Sequence, residues 1–341
     1  MRINLKIIII STINIIMLNN IIGSNYLMDT FNNNSFLFPL IIGVLSILLI
    51  LLVPKLSKKT YSSILKSTFI RFIISLFLFL FIITLLLFSF YIISERFFYL
   101  TPTYLIIAFT MFFIFLSLKS FYKTISNILL FSSIIIILIS SFHLFNFYPY
   151  DFNLIKLDTS FISTSYKSLF MIVYTIEIII FLFIPSSFSK VAKKDLIISI
   201  IVGSIISSLL ILENYLFVSS TFYEGINFPS LYRFKLYSGP KYIEHFDNFL
   251  SLIISIFIIS KTIFYLELLR IFLHIKKKIS YRLISTLFMS VILTFLFYHI
   301  TYSSYVLSIF SIILSSLILL IYLSLWRFKA NETNRRIKTN T

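Results

Sequence analysis

Few residues in this chain can do chemistry, and the one that most needs a reason for its place is Glu177. It sits near the middle of Leu169 to Phe188, LFMIVYTIEIIIFLFIPSSF, a run long enough to cross a bilayer. An acidic side chain at the centre of a membrane helix costs roughly 2.5 to 3.5 kcal/mol on insertion scales, so such residues face a helix bundle or a watery cavity. Helical spacing sets Phe170, Tyr174, Glu177 and Phe181 on one stripe. Glu177 is either a protonated acid hydrogen-bonded to a neighbouring helix or, with Tyr174, part of a ligand or ion site at the midplane. Lys261, halfway along the apolar run Phe249 to Leu273, lies at a similar depth. It either shares a site with Glu177, faces another helix, or snorkels toward an interface. Gly23-Ser24-Asn25 interrupts the first apolar run. The break either lets that helix unwind and offer backbone groups to a ligand, or marks its frayed outer end.

Catalytic constellations are missing. His143, His245, His274 and His299 stand apart with no HExxH spacing, and the five glycines never form a phosphate-cradling cluster. With no cysteine there is no disulfide framework and no thiolate metal site. No metal or cofactor is expected, and an enzyme is disfavoured. The exception that stays open is a membrane enzyme of envelope-polymer assembly, with reactive residues on its long outer loops.

The elements that must position these residues are membrane helices. A chain that is 59% hydrophobic and only 12% charged, with mean hydropathy +1.02, departs far from the about 25% charged residues of soluble domains. Apolar spans run over residues 5–28, 36–53, 69–93, 102–118, 125–147, 169–188, 196–218, 249–273, 283–300 and 305–326. Each reaches or approaches the roughly 20 residues needed to cross hydrocarbon, and 69–93 and 249–273 are long enough to tilt. The expected fold is all-α, one ten-helix transmembrane domain over residues 1–326. A basic tail, 327–341, follows and is expected to be disordered or to lie on anionic lipid.

The net charge of +17 would suggest nucleic acid in a soluble chain. Here the basic residues fall in short segments between apolar runs, no nucleic-acid-binding motif accompanies them, and none is expected as a partner. With a cytoplasmic N-terminus, 22 of the 29 Lys and Arg residues fall on the cytoplasmic side, among them Lys58, Lys59, Lys193, Lys194 and Lys276 to Lys278. Six fall on the other face, and Lys261 is inside a span. That alternation requires an even number of helices and places both termini in the cytoplasm.

Further residues carry a resemblance. Thr101-Pro102 opens one span; Glu177 is followed by Pro185 and Lys193-Lys194; Phe228-Pro229-Ser230 lies in a long outer loop; and Glu244-His245-Phe246-Asp247 leads into 249–273. In order and spacing these resemble the B subunit of bacterial spore germinant receptors over nearly the whole chain, best from about Leu100 onward. Glu244 and Asp247 match the acidic positions of that family's Glu-Arg-x-Glu signature, with His245 standing for Arg and Asp247 for Glu. The Trp that follows in the family is absent, and Gly23-Ser24-Asn25 replaces its Gly-x-Gly break.

The resemblance implies a fold similar to amino acid permeases of the amino acid, polyamine and organocation superfamily, a five-plus-five inverted repeat with its first and sixth helices broken around a central site. It implies a germinant-sensing subunit in the inner membrane of a spore, working beside an A subunit and a lipoprotein C subunit. The expected ligand is a small, amino-acid-like germinant. The expected ligand-binding residues are Gly23, Ser24, Asn25, Tyr174, Glu177 and Lys261. A secondary transporter coupled to protons through Glu177 is the alternative.

Overall fold

The computed structural model describes residues 5–17, 32–52, 68–97, 100–118, 122–144, 193–217, 246–273, 275 and 278–299. Among them there is no strand, and eight α-helices form: α1 (Leu5–Met17), α2 (Phe38–Leu52), α3 (Thr68–Arg96), α4 (Thr103–Ser117), α5 (Tyr122–Leu144), α6 (Lys193–Phe217), α7 (Phe246–Phe272) and α8 (Lys278–His299). The expected spans 169–188 and 305–326, the tail and most of the two long outer loops lie outside the described residues. Four helical segments, Asn34–Leu51, Arg71–Ser94, Lys193–Leu216 and Asn248–Phe272, are long and apolar enough to cross a membrane.

Where helices and expected spans overlap, they differ mainly at their ends. Span 36–53 opens with a turn of 3-10 helix, Asn32–Leu37, before α2 begins. Helix α8 starts at Lys278, five residues ahead of the apolar run, because charged residues at a membrane surface continue a helix without registering in hydropathy. Helix α3, 29 residues long, reaches about 43 Å at 1.5 Å per residue, more than the hydrocarbon thickness, and so must tilt or project.

Helices α3 and α7 form the central pair. Their apolar windows are 72% and 78% buried, and on α3 Phe72 alone is a large, exposed hydrophobe among the described residues. Helix α5 packs on α7 and reaches α1; α1 packs on α6, and α6 on α2. On the other flank α4 and α8 pack on each other and against α3. Ser208 in the second half of α6 donates to the carbonyl of Phe36, and Lys193 at the start of α6 donates to that of Leu51, so α2 and α6 run antiparallel.

The distribution of side chains is not that of a water-soluble bundle. Exposed faces are apolar: Val44, Leu48 and Leu51 on α2, Ile201, Ile205 and Leu209 on α6, and Phe109, Phe112 and Phe113 on α4, Phe109 being 77% exposed. Serines, threonines, asparagines, an aspartate, a glutamate and Lys261 are buried. Large contiguous apolar surface over a core that mixes apolar side chains with buried polar ones is unstable in water and suited to lipid. The chain is a membrane protein.

Candidate functional site

Two interior regions concentrate polar chemistry. The first is a seam along α6, which packs against α1 and against α2 with its 3-10 turn. Two glycines set it by close approach. A Cβ at Gly203 would lie 2.9 Å from Ile15 Cβ, and one at Gly43 would lie 2.9 Å from Ser204 Cβ and collide with Ser204 Oγ. Small residues allow membrane helices to approach closely where dispersion, not the hydrophobic effect, holds them together. On α6, Gly203 therefore faces α1 and Ser204 faces α2; Ser207, one turn beyond Gly203, projects between those two directions. On α1, Ser11 precedes Ile15 by one turn, and Thr12 and Asn14 flank it on either side. All are buried, Asn14 to 1% exposed and Ser207 to 0%.

The seam is under-bonded. Hydroxyls elsewhere in the bundle satisfy themselves by donating to a carbonyl one turn earlier, as Thr84 does to Leu80, Thr110 to Ile106, Ser133 to Leu129, Ser255 to Ser251 and Thr262 to Ile258. The hydroxyls of Ser11, Thr12, Ser35, Ser204 and Ser207, and Asn14 Oδ1, have no hydrogen-bond partner among the described residues.

The second region surrounds Lys261 on α7, 4% exposed. Its ammonium lies 5.0 Å from the centroid of the Phe81 ring on α3 and 5.8 Å from that of Tyr265 one turn along its own helix. Phe81 meets Tyr265 edge to face at 5.6 Å and stacks with Phe77 at 6.0 Å. An ammonium over aromatic faces gains about 0.5 to 2 kcal/mol, more when desolvated, and the rings also exclude other solvent from it. Lys261 therefore faces a neighbouring helix inside the bundle and does not snorkel outward.

Nearer the end of α7, Arg270 donates to Glu267 Oε1 at 2.7 Å and to the carbonyl of Ile275 at 3.0 Å, while the Tyr281 hydroxyl of α8 donates to that of Leu266 at 2.7 Å. These contacts fasten the α7–α8 corner. Among the described residues no cluster of His, Asp or Glu has the makings of a metal centre.

Of the residues expected to bind a ligand, Lys261 alone is described in side-chain detail. Gly23, Ser24, Asn25, Tyr174, Glu177 and Glu244 lie outside the described residues, and Asp247 falls in the first turn of α7. The seam was not anticipated. Its signal was the spacing Ser199, Gly203, Ser204, Ser207, Ser208 on one helix against Ser11 and Asn14 on another, small polar residues recurring every third or fourth position. No family model matches the chain, and no curated protein matches it either.

Proposed function

We propose that this chain is the membrane-embedded sensing subunit of a spore germinant receptor, a ten-helix, five-plus-five bundle with both termini cytoplasmic in the inner membrane of the spore. The single observation that supports a ligand-handling role is the buried ammonium of Lys261 midway along an apolar helix. Ionisable groups at such depth are costly and mark solute or ion pathways. The identity of the receptor rests on the sequence resemblance, from Thr101-Pro102 through Glu177 to the Glu244 to Asp247 group.

In this reading an amino-acid-like germinant binds at the bundle centre, with Lys261 and Glu177 facing the same site. The Gly23 to Asn25 break and Tyr174 complete it, and Glu244 and Asp247 lead into α7 from the outer loop. Binding shifts an equilibrium between two packings, and the A and C subunits read the shift.

Deletion of the gene from its spore-forming host tests the proposal. The expected result is loss of the response to one germinant class with vegetative growth and amino acid uptake intact. An uptake defect in growing cells, together with accumulation of labelled amino acid by proteoliposomes of this chain alone, would instead establish the proton-coupled transporter. Normal germination with a cell-envelope defect would point to the membrane enzyme.

A further inference from the structure

The geometry points to a monovalent cation site in the seam between α1, α2 and α6, built from neutral side-chain oxygens around Asn14 and Ser207. The inference does not rest on the receptor reading; it follows from which polar atoms are satisfied. A membrane helix gives every serine or threonine a default partner, the carbonyl of the preceding turn. Many buried hydroxyls here take it and Ser208 reaches the Phe36 carbonyl instead, whereas six have no partner at all among the described residues: Ser11, Thr12, Ser35, Ser75, Ser204 and Ser207. Ser75 is on α3, one turn from Arg71, whose Nε is also without a partner among the described residues. Of the other five, Ser204 and Ser207 are on α6, Ser11 and Thr12 on α1 and Ser35 in the 3-10 turn, each of which packs on α6; Asn14 Oδ1 on α1 is likewise without a partner in the described residues.

Depth makes the pattern expensive. Gly203 is ten residues into the 25 of α6, about 15 Å from its start, which is close to mid-bilayer. No bulk water reaches that depth, and each unsatisfied polar group there costs several kcal/mol. A cluster of such groups persists when something shared satisfies them. Asn14, Ser204 and Ser207 fall at or within one turn of the level where Ile15 meets Gly203 and Gly43 meets Ser204, and each is more than nine-tenths buried.

Donor type selects the occupant. Hydroxyl and amide oxygens are hard, neutral ligands that replace the hydration shell of an alkali cation, much as carbonyl oxygens do in channels. A divalent ion would call for carboxylates, and among the described residues no group of three or more acids or histidines assembles. An anion would call for a basic side chain, and none of these seam residues is one. Ser207 between the α1 and α2 directions and Asn14 beside the α1 contact then supply first ligands. Occupancy would clamp α1 to α6, so the site would couple ion binding to the packing of the first helix.

The test is thermal unfolding of the purified full chain in detergent, in sodium, potassium or choline chloride at matched ionic strength. The expected result is a saturable rise in Tm on the order of 5 °C in sodium or potassium over choline. Ser207→Ala and Asn14→Ala should each raise the half-saturating concentration at least about tenfold, the equivalent of one lost ligand worth ~1.4 kcal/mol. Ser133→Ala, which removes a hydroxyl bonded to its own helix, should titrate as the wild type does. If Asn14→Ala does not survive purification, Ser207→Ala decides. Equal Tm in all three salts means that the seam holds water only and overturns the site, as does a cation-dependent shift unchanged in the variants.

Discussion

At the scale of single residues, Lys261 sets the terms. Its ammonium is buried where a charge is costly, and the aromatic faces of Phe81 and Tyr265 offset part of that cost. The contact predicts an interaction measurable by a double-mutant cycle. Phe81→Leu and Lys261→Met should each lower stability in detergent, and their combination should fall short of the sum by about 0.5 to 2 kcal/mol. Strict additivity would mean that the ring supplies packing and no attraction for the charge. A second cycle, Glu177→Gln with Lys261→Met, examines the shared-site proposal. There coupling of about 1 kcal/mol or more, with the double variant better folded than either single one, is expected, because an unpaired buried charge is worse than no charge.

At the scale of elements, the close approaches at Gly43 and Gly203 hold α1, α2 and α6 together. Gly203→Val would drive side-chain atoms into Ile15, whose Cβ, Cδ1 and Cγ2 all stand within 2.9 to 3.1 Å of the added Cβ. Overpacking of this kind costs about 1 to 3 kcal/mol. Ile15→Ala should restore most of the loss, whereas a distant truncation such as Leu293→Ala should not; thermal unfolding in detergent measures both. Ile15→Ala failing to rescue would mean that Gly203 is required for something other than its contact with α1. The eight described helices were legible in the sequence because a long apolar run leaves little alternative. Their ends were not, as Lys278 to Arg282 and the 3-10 turn at Asn32–Leu37 show, since polar residues at an interface can continue or start a helix. The seam's close packing was legible in the spacing of its small residues, but its unsatisfied hydroxyls were not. Serine is nearly silent in hydropathy, and a helical serine bonded to its own turn looks the same in sequence as one left to a neighbour. Lys261 was legible as an exception in an apolar run, but its aromatic neighbour Phe81 comes from 180 residues earlier in the chain.

At the scale of the whole molecule, four long apolar helices and an apolar exterior identify a membrane protein, and the charge alternation proposes how it is threaded. Because the chain has no cysteine, single cysteines report topology cleanly. Cysteines replacing Lys58, Ala192 and Lys277 should be shielded from an impermeant thiol reagent in intact cells, while those replacing Asn33, Asp158 and Tyr237 should react; labelling at 192 would break the ten-helix threading. The central claim is that the buried polar groups around Lys261 sense a germinant. It is tested most directly by complementing the deletion strain with wild-type chain or with Lys261→Met, at matched amounts in the spore inner membrane. The account predicts that the wild-type chain restores the lost germinant response and that Lys261→Met slows it more than about tenfold, a loss of ~1.4 kcal/mol or more in the responding state. A full response from Lys261→Met spores would contradict it.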